Sequence, residues 1–500
     1  MSLREQAFSG IRWTTLSSLG RALLQVFQIA ILARLLTPAD FGLVAIVAAL
    51  MAILQIFSDA GVSNAIIHYQ DITPTELSSL YWLNVGISAT LGLLLALASP
   101  WISLWYHEAE LRPLFMIAAL TLVIGALGQQ ARIVAQKNLR FADLAKVELG
   151  AALAGAAVAV ALAVLGGGVY SLITGSLAAA ATGALLAWVY LTKGWRPRLS
   201  VSVTEIRRFL RFGSYIIGNN LVNAFNSQVD VLLGGRLLGA QAIGLYSVPK
   251  DFSLRLAGII NPVVTQVSLP VMAKAQTDVT LLKKLYLRMM RMTASVSFPV
   301  YVALAVFPGE VVRVLLGGQW HSAVPLLRLL ACSALLRSTG NPVGSLLMAL
   351  GRPDLSFHWN LALLGIMAPA VWLGSQFGLI GMAIAIALVA LLLYVPNWYF
   401  LVRPLCGAKF GEYTVQLAVP LGLSLASGLA GYFSAQLAVN DLARLAIGML
   451  AGGAVYLGLS WRLNRTWADA MMELVGIKTK YARTMRPLKA AKPRDEPRGQ

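Results

Sequence analysis

The sequence predicts an all-α polytopic membrane protein with about fourteen transmembrane helices, in which two six-helix lobes are followed by two C-terminal helices. Its composition excludes an ordinary soluble domain, because 58% of the 500 residues are apolar and only 12% are charged, against about 25% charged residues in soluble proteins. The mean hydropathy is +0.72. Apolar stretches long enough to cross a bilayer recur along the chain. A short motif also recurs 202 residues after its first appearance (236 minus 34).

The repeated motif indicates two copies of one unit. It reads RLL, five residues, then GL, first at residues 34–43 and again at residues 236–245. Each copy holds six predicted spans, an even number, so both copies enter the membrane in the same direction and are related by a pseudo-two-fold axis along the membrane normal. The predicted divisions are the first lobe (1–192), a basic connector (193–211), the second lobe (212–403), helices thirteen and fourteen (404–465) and a basic tail (466–500).

Basic residues in the loops predict the orientation of the chain. Lysine and arginine cluster after spans four, six and eight, within residues 132–146, 193–211 and 274–291, whereas connections after odd-numbered spans carry near-isolated arginines. By the positive-inside rule, both termini lie in the cytoplasm. The formal charge of +19 is therefore interpreted as loop and tail charge close to anionic lipid. We expect a location in the bacterial inner membrane and no nucleic-acid partner.

Polar side chains at membrane depth predict a substrate cavity. In the seventh span, four polar residues recur at steps of four, three and four and share one helical face: Asn219, Asn223, Asn226 and Asp230. The first span carries a comparable face: Ser17, Arg21, Gln25 and Gln28. We expect the two faces to meet across a central cavity between the lobes. In the alternative, these groups only form hydrogen bonds between helices.

Charged residues of the second and eighth spans extend this set. Asp59 lies near the end of span two, and span eight contains Lys250, Asp251 and Arg255. Asp251 and Arg255 are one helical turn apart and form a candidate ion pair, which leaves Lys250 available for a ligand. Three polar residues of span ten rank second as cavity candidates: Arg328, Arg337 and Asn341.

Three carboxylates are candidates for coupling transport to an ion gradient: Asp59, Asp230 and Asp251. Asp230 is preferred, because it ends the polar face at the position where the first lobe has Gln28, and no partner is evident within its own helix. At membrane depth its protonation would depend on the side to which the cavity opens. The alternative is a fixed hydrogen bond or ion pair to another helix.

Catalytic and metal-binding patterns are not evident in the sequence. The four histidines lie far apart, and none is at metal-ligand spacing from another. No Walker P-loop is present, and no loop is long enough to hold a catalytic domain. We therefore expect a transporter rather than an enzyme, with no cofactor and no metal.

A family resemblance is carried by residues 31–71, which read ILARLLTPADFGLVAIVAALMAILQIFSDAGVSNAIIHYQD. This stretch resembles the first-to-second helix region of Wzx-type polysaccharide flippases, in the colanic acid exporter branch of the multidrug/oligosaccharidyl-lipid/polysaccharide exporter superfamily. Residues 236–252, RLLGAQAIGLYSVPKDF, and the fourteen spans extend the resemblance over essentially the whole chain. It implies that helices one, two, seven and eight line a cavity opening alternately to each side. It also implies that helices thirteen and fourteen help to seat a polyprenyl chain.

The function implied by this resemblance is the flipping of a polyprenyl-diphosphate-linked oligosaccharide to the periplasmic leaflet, for exopolysaccharide or O-antigen biosynthesis. Fixed cations and many hydrogen-bond partners at the midplane suit a diphosphate that carries sugars. The predicted substrate-binding residues are Arg21, Gln25, Gln28, Asn219, Asn223, Asn226, Lys250 and Arg255. Implied partners are the lipid-linked oligosaccharide, membrane lipids, and the polysaccharide polymerase and chain-length machinery.

Two other functions are considered. A multidrug or cation antiporter of the same superfamily would favour the opposite charge in its cavity and would usually have twelve spans. A membrane glycan polymerase or ligase would need a long periplasmic loop with catalytic residues, and the sequence contains no such loop.

Overall fold

The computed structural model describes residues 3–59, 61–69, 71–192, 195–198 and 203–474, and no strand occurs within these ranges. The helices are α1 (Leu3–Leu35), α2 (Pro38–Asp59), α3 (Val62–His68), α4 (Pro74–Tyr106), α5 (Leu111–Lys137), α6 (Phe141–Val164), α7 (Tyr170–Tyr190), α8 (Val203–Lys274), α9 (Val279–Val306), α10 (Pro308–Leu315), α11 (Val324–Ser338), α12 (Gly340–Ala349), α13 (Pro353–Ser375), α14 (Gly378–Leu392), α15 (Tyr394–Asn397), α16 (Arg403–Cys406), α17 (Phe410–Ala435), α18 (Asp441–Leu463) and α19 (Arg465–Leu474). A 3-10 helix covers Gly318–Ala323, and a π-helical segment covers Trp398–Val402.

Thirteen stretches of the described chain are long and apolar enough to cross a membrane. The prediction of an all-helical, polytopic membrane protein is confirmed. One stretch, Ile217–Leu254, contains a break, so it accommodates two of the predicted spans. The count of fourteen and the symmetry between lobes stay predictions. Below, the N-lobe and the C-lobe denote the predicted residues 1–192 and 212–403.

The break in α8 is a reversal at Gly239, where φ is 84° and ψ is 171°. Glycine enters this region of positive φ without a Cβ clash. An uninterrupted helix of 72 residues would be roughly 108 Å long, several times the thickness of the hydrocarbon core. Instead, the arm before Gly239 packs against the arm after it, since a Cβ on Gly234 would lie 2.7 Å from Ile243 Cδ1.

Local sequence signals fix several helix ends. Thr73 and Glu76 form a capping box at the start of α4, because the Thr73 hydroxyl accepts from the Glu76 N–H while the Glu76 carboxylate accepts from the Thr73 N–H. Asp278 caps α9 by accepting from the N–H groups of Thr280 and Leu281. These caps begin helices at the ends of connections that are only a few residues long.

The lobes are joined at one end by a reciprocal contact between the two copies of the repeated motif. Gly42 in α2 and Gly244 in α8 are 202 positions apart, as are Pro38 and Ala240. A Cβ on Gly42 would lie 1.8 Å from the carbonyl oxygen of Ala240, and a Cβ on Gly244 would lie 1.7 Å from that of Pro38. Only glycine permits this backbone approach. We call this set of four residues the glycine contact.

Hydrogen bonds between the lobes surround the glycine contact. The Tyr106 hydroxyl donates to the carbonyl of Leu232 at 3.1 Å, and the N–H of Ala240 donates to Glu108 Oε1 at 3.3 Å. The Trp320 indole N–H donates to the carbonyl of Ala33 at 2.8 Å. These groups lie beside connections that follow odd-numbered spans, so the lobes are closed together at that end of the protein. The positive-inside rule predicts that this end faces the periplasm.

The glycine contact generates a first prediction. Gly42→Ala should loosen the closed end, because the new methyl group would overlap the carbonyl of Ala240. Val47 of α2 is buried in the core that joins the lobes and serves as a reporter. In detergent-solubilised protein whose native cysteines are replaced by serine, Val47→Cys should react with a maleimide several-fold faster when Gly42→Ala is present.

A helical glycine elsewhere provides the control. Nothing lies within 4 Å of a Cβ built on Gly86 in α4, so Gly86→Ala should leave the reaction rate unchanged. Equal maleimide reactivity of Val47→Cys in the Gly42→Ala and Gly86→Ala proteins would contradict this role of the glycine contact.

Candidate functional site

A buried ion pair joins the two arms of α8. Asp230 and Lys250 are only 5% and 7% exposed. Lys250 Nζ lies 2.7 Å from Asp230 Oδ1. The Tyr246 hydroxyl donates to Asp230 Oδ2 at 2.5 Å, and Lys250 Nζ also donates to the carbonyl of Ser227 at 2.8 Å. Both carboxylate oxygens are satisfied, as a buried charge requires.

This pair corrects one expectation. Lys250 was expected to be available for a ligand, with Asp251 paired to Arg255, but its ammonium neutralises Asp230. The reason is the reversal at Gly239, which brings together two residues 20 positions apart on antiparallel arms. For Asp230, the arrangement in this structure is the alternative considered above, a fixed ion pair to another helical segment.

Two adjoining cavities occupy the C-lobe. The ion-pair cavity, of about 190 Å³, is lined by Asp230, Lys250, Tyr246 and Tyr301, among others. The aromatic cavity, of about 200 Å³, is lined by Asn226, Trp359, Tyr394, Asn397 and Tyr413 together with apolar side chains of α13 and α14. Arg337 and Ile386 line both cavities.

Arg337 occupies the junction of these cavities. Its side chain is exposed, and within the described part of the chain it forms no hydrogen bond or ion pair. It lies at the end of α11, where span ten is interrupted before α12 begins at Gly340. The sequence ranked Arg337 second among cavity candidates. The structure places it beside Asp230 and Lys250, where it leaves the ion-pair cavity with two cations and one carboxylate.

A separate cavity of about 510 Å³ lies within the N-lobe, and residues of α1, α2, α5, α6 and α7 line it. Arg21 Nη1 lies 3.3 Å from Glu148 Oε2, and the Ser17 hydroxyl donates to the same oxygen at 3.3 Å. Gln25 and Gln28 also face this cavity. Its wall of alanine and glycine comes from α6 and α7, whose backbones approach closely: a Cβ on Gly155 would lie 2.8 Å from the carbonyl oxygen of Gly175.

Arg132 is a cavity residue that the sequence analysis assigned to a basic loop cluster. It lies inside α5 and lines the N-lobe cavity together with Glu148. Gly183 of α7 makes room for it, since a Cβ there would lie 2.4 Å from Arg132 Nη2. Its buried Nε has no hydrogen-bond partner among the described residues. Two cations therefore face one carboxylate in this cavity also.

The polar faces of the first and seventh spans line different cavities, contrary to expectation. They were expected to meet across one central cavity, but the cavity that holds Arg21, Gln25 and Gln28 is lined by N-lobe residues, whereas Asn226 and Asp230 line cavities of the C-lobe. The packing of α1 against α6 explains this difference, because it offers Arg21 a carboxylate within its own lobe.

The remaining predicted site residues lie in varied surroundings. Asp59 accepts hydrogen bonds from Gln129 Nε2 at 2.8 Å and from the Ser63 hydroxyl, at the end of α2. Asn219 is partly buried, and Asn223 and Asp251 are exposed. The side chain of Arg255 lies outside the described residues.

Comparison with solved structures defines the class of protein. The fold matches the lipid II flippase MurJ in an inward closed conformation with a TM-score of 0.73 and 12% sequence identity. The match covers 93% of this chain and 99% of that chain. The protein is therefore a polytopic helical membrane protein with the fold of a lipid flippase.

The chain belongs to the family of polysaccharide biosynthesis proteins, whose family model matches residues 31–325. It is 32% identical to the lipopolysaccharide biosynthesis protein WzxC of Escherichia coli K12, over 86% of this chain and 88% of that protein. It is 31% identical to the teichuronic acid biosynthesis protein TuaB of Bacillus subtilis 168, over 92% and 96%. The resemblance to Wzx-type flippases inferred from residues 31–71 is confirmed.

The buried pair generates a second prediction. Asp230→Asn and Lys250→Met should each destabilise the protein by about 3–5 kcal/mol, because each strands the opposite charge in a buried site. The double variant should lose less stability than the sum of the losses in the two single variants. Thermal unfolding of the purified variants measures these effects.

An exposed ion pair serves as the control for this measurement. Arg352 and Asp354 are paired at 2.9 Å with side chains about half exposed, so Arg352→Gln should leave the stability almost unchanged, because solvent screens an exposed ion pair. Strictly additive effects of Asp230→Asn and Lys250→Met would show that the two charges do not stabilise one another.

Proposed function

We propose that this protein flips a polyprenyl-diphosphate-linked oligosaccharide from the cytoplasmic to the periplasmic leaflet by alternating access, for polysaccharide biosynthesis. The fold of a lipid flippase and membership of the polysaccharide biosynthesis family support this proposal. The alignments cover most of this chain and most of each relative, so the proposal is not limited to one segment. The proposed location is the bacterial inner membrane, with both termini in the cytoplasm, and polysaccharide polymerase and chain-length machinery are proposed partners.

The observation that carries the substrate class is the charge of the cavities. Arg21 and Arg132 face Glu148 in the N-lobe, and Lys250 and Arg337 face Asp230 in the C-lobe. Each set has two positive charges and one negative charge, a net charge of +1. A cavity with surplus cations at membrane depth favours an anionic ligand such as a diphosphate. A cationic drug would be repelled, which disfavours the multidrug antiporter.

Alternating access requires the closed end to open. The glycine contact and the bonds from Tyr106, Ala240 and Trp320 would have to separate, while the buried cores within each lobe stay intact. Packed interfaces of this kind favour two discrete arrangements over a continuous deformation. Substrate would enter between the lobes from the opposite side and leave after the closed end separates.

Ion coupling through Asp59, Asp230 or Asp251 stays a prediction. In this structure the ammonium of Lys250 lies 2.7 Å from the Asp230 carboxylate, so a coupling role for Asp230 would require the two groups to separate. Coupling would then depend on a change in the packing of the two arms of α8.

The N-lobe cavity generates a third prediction, in which two substitutions of opposite charge effect are compared. Arg132→Gln removes the surplus cation and should slow flipping of a fluorescent polyprenyl-diphosphate-linked oligosaccharide in proteoliposomes by about tenfold or more, the loss of one charge-assisted hydrogen bond. Glu148→Gln removes the anion and should not slow binding of the substrate. Flipping rates and substrate affinities are measured at matched protein levels.

Two outcomes would count against this proposal. If Arg132→Gln and Glu148→Gln weaken substrate binding equally, the cavity contributes structure and not charge recognition. If the unmodified protein does not flip the lipid-linked oligosaccharide under any ion gradient, the proposed function itself is wrong.

A further inference from the structure

The aromatic cavity contains buried polar atoms that the protein itself leaves unbonded. Asn226 is only 6% exposed, and its Nδ2 donates to the carbonyl of Asn360 at 2.6 Å, yet its Oδ1 has no partner among the described residues. Asn397 Oδ1 is also buried and without a partner in this part of the chain. Buried carbonyl oxygens without a donor are unfavourable. Two acceptors in one cavity therefore indicate a ligand that donates hydrogen bonds.

The backbone around Asn397 is specialised as well. Asn397 ends α15, and the next residue begins the π-helical segment Trp398–Val402. Such single-turn π segments are rare and often mark functional sites, because they shift side chains out of the regular helical register. Here the segment directly follows Asn397, which lines the aromatic cavity.

Aromatic rings and a cation complete the lining. Trp359, Tyr394 and Tyr413 contribute rings, and the centroids of the two tyrosine rings are 5.2 Å apart. Arg337 lies where this cavity adjoins the ion-pair cavity, and it pairs with no carboxylate in the described part of the chain. The volume of about 200 Å³ corresponds to roughly six water molecules, so the cavity has room for one sugar ring.

We propose that the aromatic cavity binds the sugar directly attached to the diphosphate, with Arg337 on the diphosphate and with Asn226 and Asn397 accepting hydrogen bonds from sugar hydroxyls. Apolar and aromatic walls match the C–H faces of a sugar ring, while the amides and the guanidinium match its hydroxyls and its phosphate. This inference rests on the proposed function and adds a position for the first sugar. Hydrogen-bond specificity for that sugar then resides in α8 and α15, and recognition of the diphosphate resides in α11.

The test compares three probes in equilibrium binding to the detergent-solubilised full-length protein: polyprenyl-diphosphoryl-glucose, polyprenyl diphosphate without sugar, and phosphatidylglycerol. The unmodified protein should bind the sugar-bearing probe more tightly than the sugar-free one. Asn397→Leu should weaken only the sugar-bearing probe, by about tenfold, the loss of one hydrogen bond. Asn397→Ser, which shortens the side chain, should show the same selectivity and provides a second variant if the leucine protein folds poorly.

The arginine variants report on the diphosphate. Arg337→Gln should weaken both diphosphate probes by about tenfold or more, because a charge-assisted hydrogen bond is lost from each. Arg328→Gln is the matched control, since Arg328 lies on the same helix, α11, and donates to the carbonyl of Ala305 at 3.1 Å outside this cavity. It should leave both affinities unchanged.

Several results would overturn the inference. These are no preference of the unmodified protein for the sugar-bearing probe, equal losses for both diphosphates in Asn397→Leu, or identical behaviour of Arg337→Gln and Arg328→Gln. If phosphatidylglycerol binds as tightly as the sugar-bearing probe, and Asn397→Leu weakens the binding of both equally, the cavity binds a bilayer lipid. If the protein flips lipid-linked oligosaccharides while these variants bind normally, only this inference fails and the proposed function stands.

Discussion

Charge buried at membrane depth is the constraint on which much of this structure depends. An ion in hydrocarbon is costly unless another charge or a polar cavity compensates for it. The chain meets this requirement within each lobe. Asp230 finds Lys250 across the reversal at Gly239, and Arg21 finds Glu148 across the packing of α1 against α6. Since each pair lies within a single lobe, separation of the lobes would break neither of them. One surplus cation in each cavity remains for an anionic ligand.

The class of protein could be predicted from sequence because long apolar stretches admit few structures other than membrane helices. The periodicity of the polar face was equally informative about Asn226 and Asp230, which both line C-lobe cavities. Periodicity does not show which side chains these residues contact. A helical wheel of the seventh span cannot show that Lys250 returns beside Asp230, because this depends on one backbone reversal. Arg132 was grouped with loop residues because basic residues follow it closely, yet α5 continues to Lys137.

The aromatic cavity shows why some proposed binding residues have no signal in sequence. Trp359, Tyr394, Asn397 and Tyr413 are spread over α13, α15 and α17, and none stands out against the many aromatic and small polar residues of a membrane protein. Their common property is spatial. Two amide oxygens that lack donors among the described residues, an arginine and three rings converge only after five helical segments have packed. Unsatisfied hydrogen-bond capacity was visible only in three dimensions, and it is what separates this cavity from an ordinary packing defect.

The glycine contact has the form of an isologous interface, in which the same patch on two units is complementary to itself. Gly42 meets Ala240 while Gly244 meets Pro38, so at this contact the two copies of the repeated motif meet as the subunits of a homodimer would, although one chain carries both. In a homodimer, every substitution in such an interface appears twice, once in each subunit. Fusion into a single chain removes that obligation, and the two halves of the patch are free to diverge. The closing surface can therefore be adjusted one side at a time, which gives this architecture a means of tuning how firmly the lobes are held together that a symmetric dimer lacks.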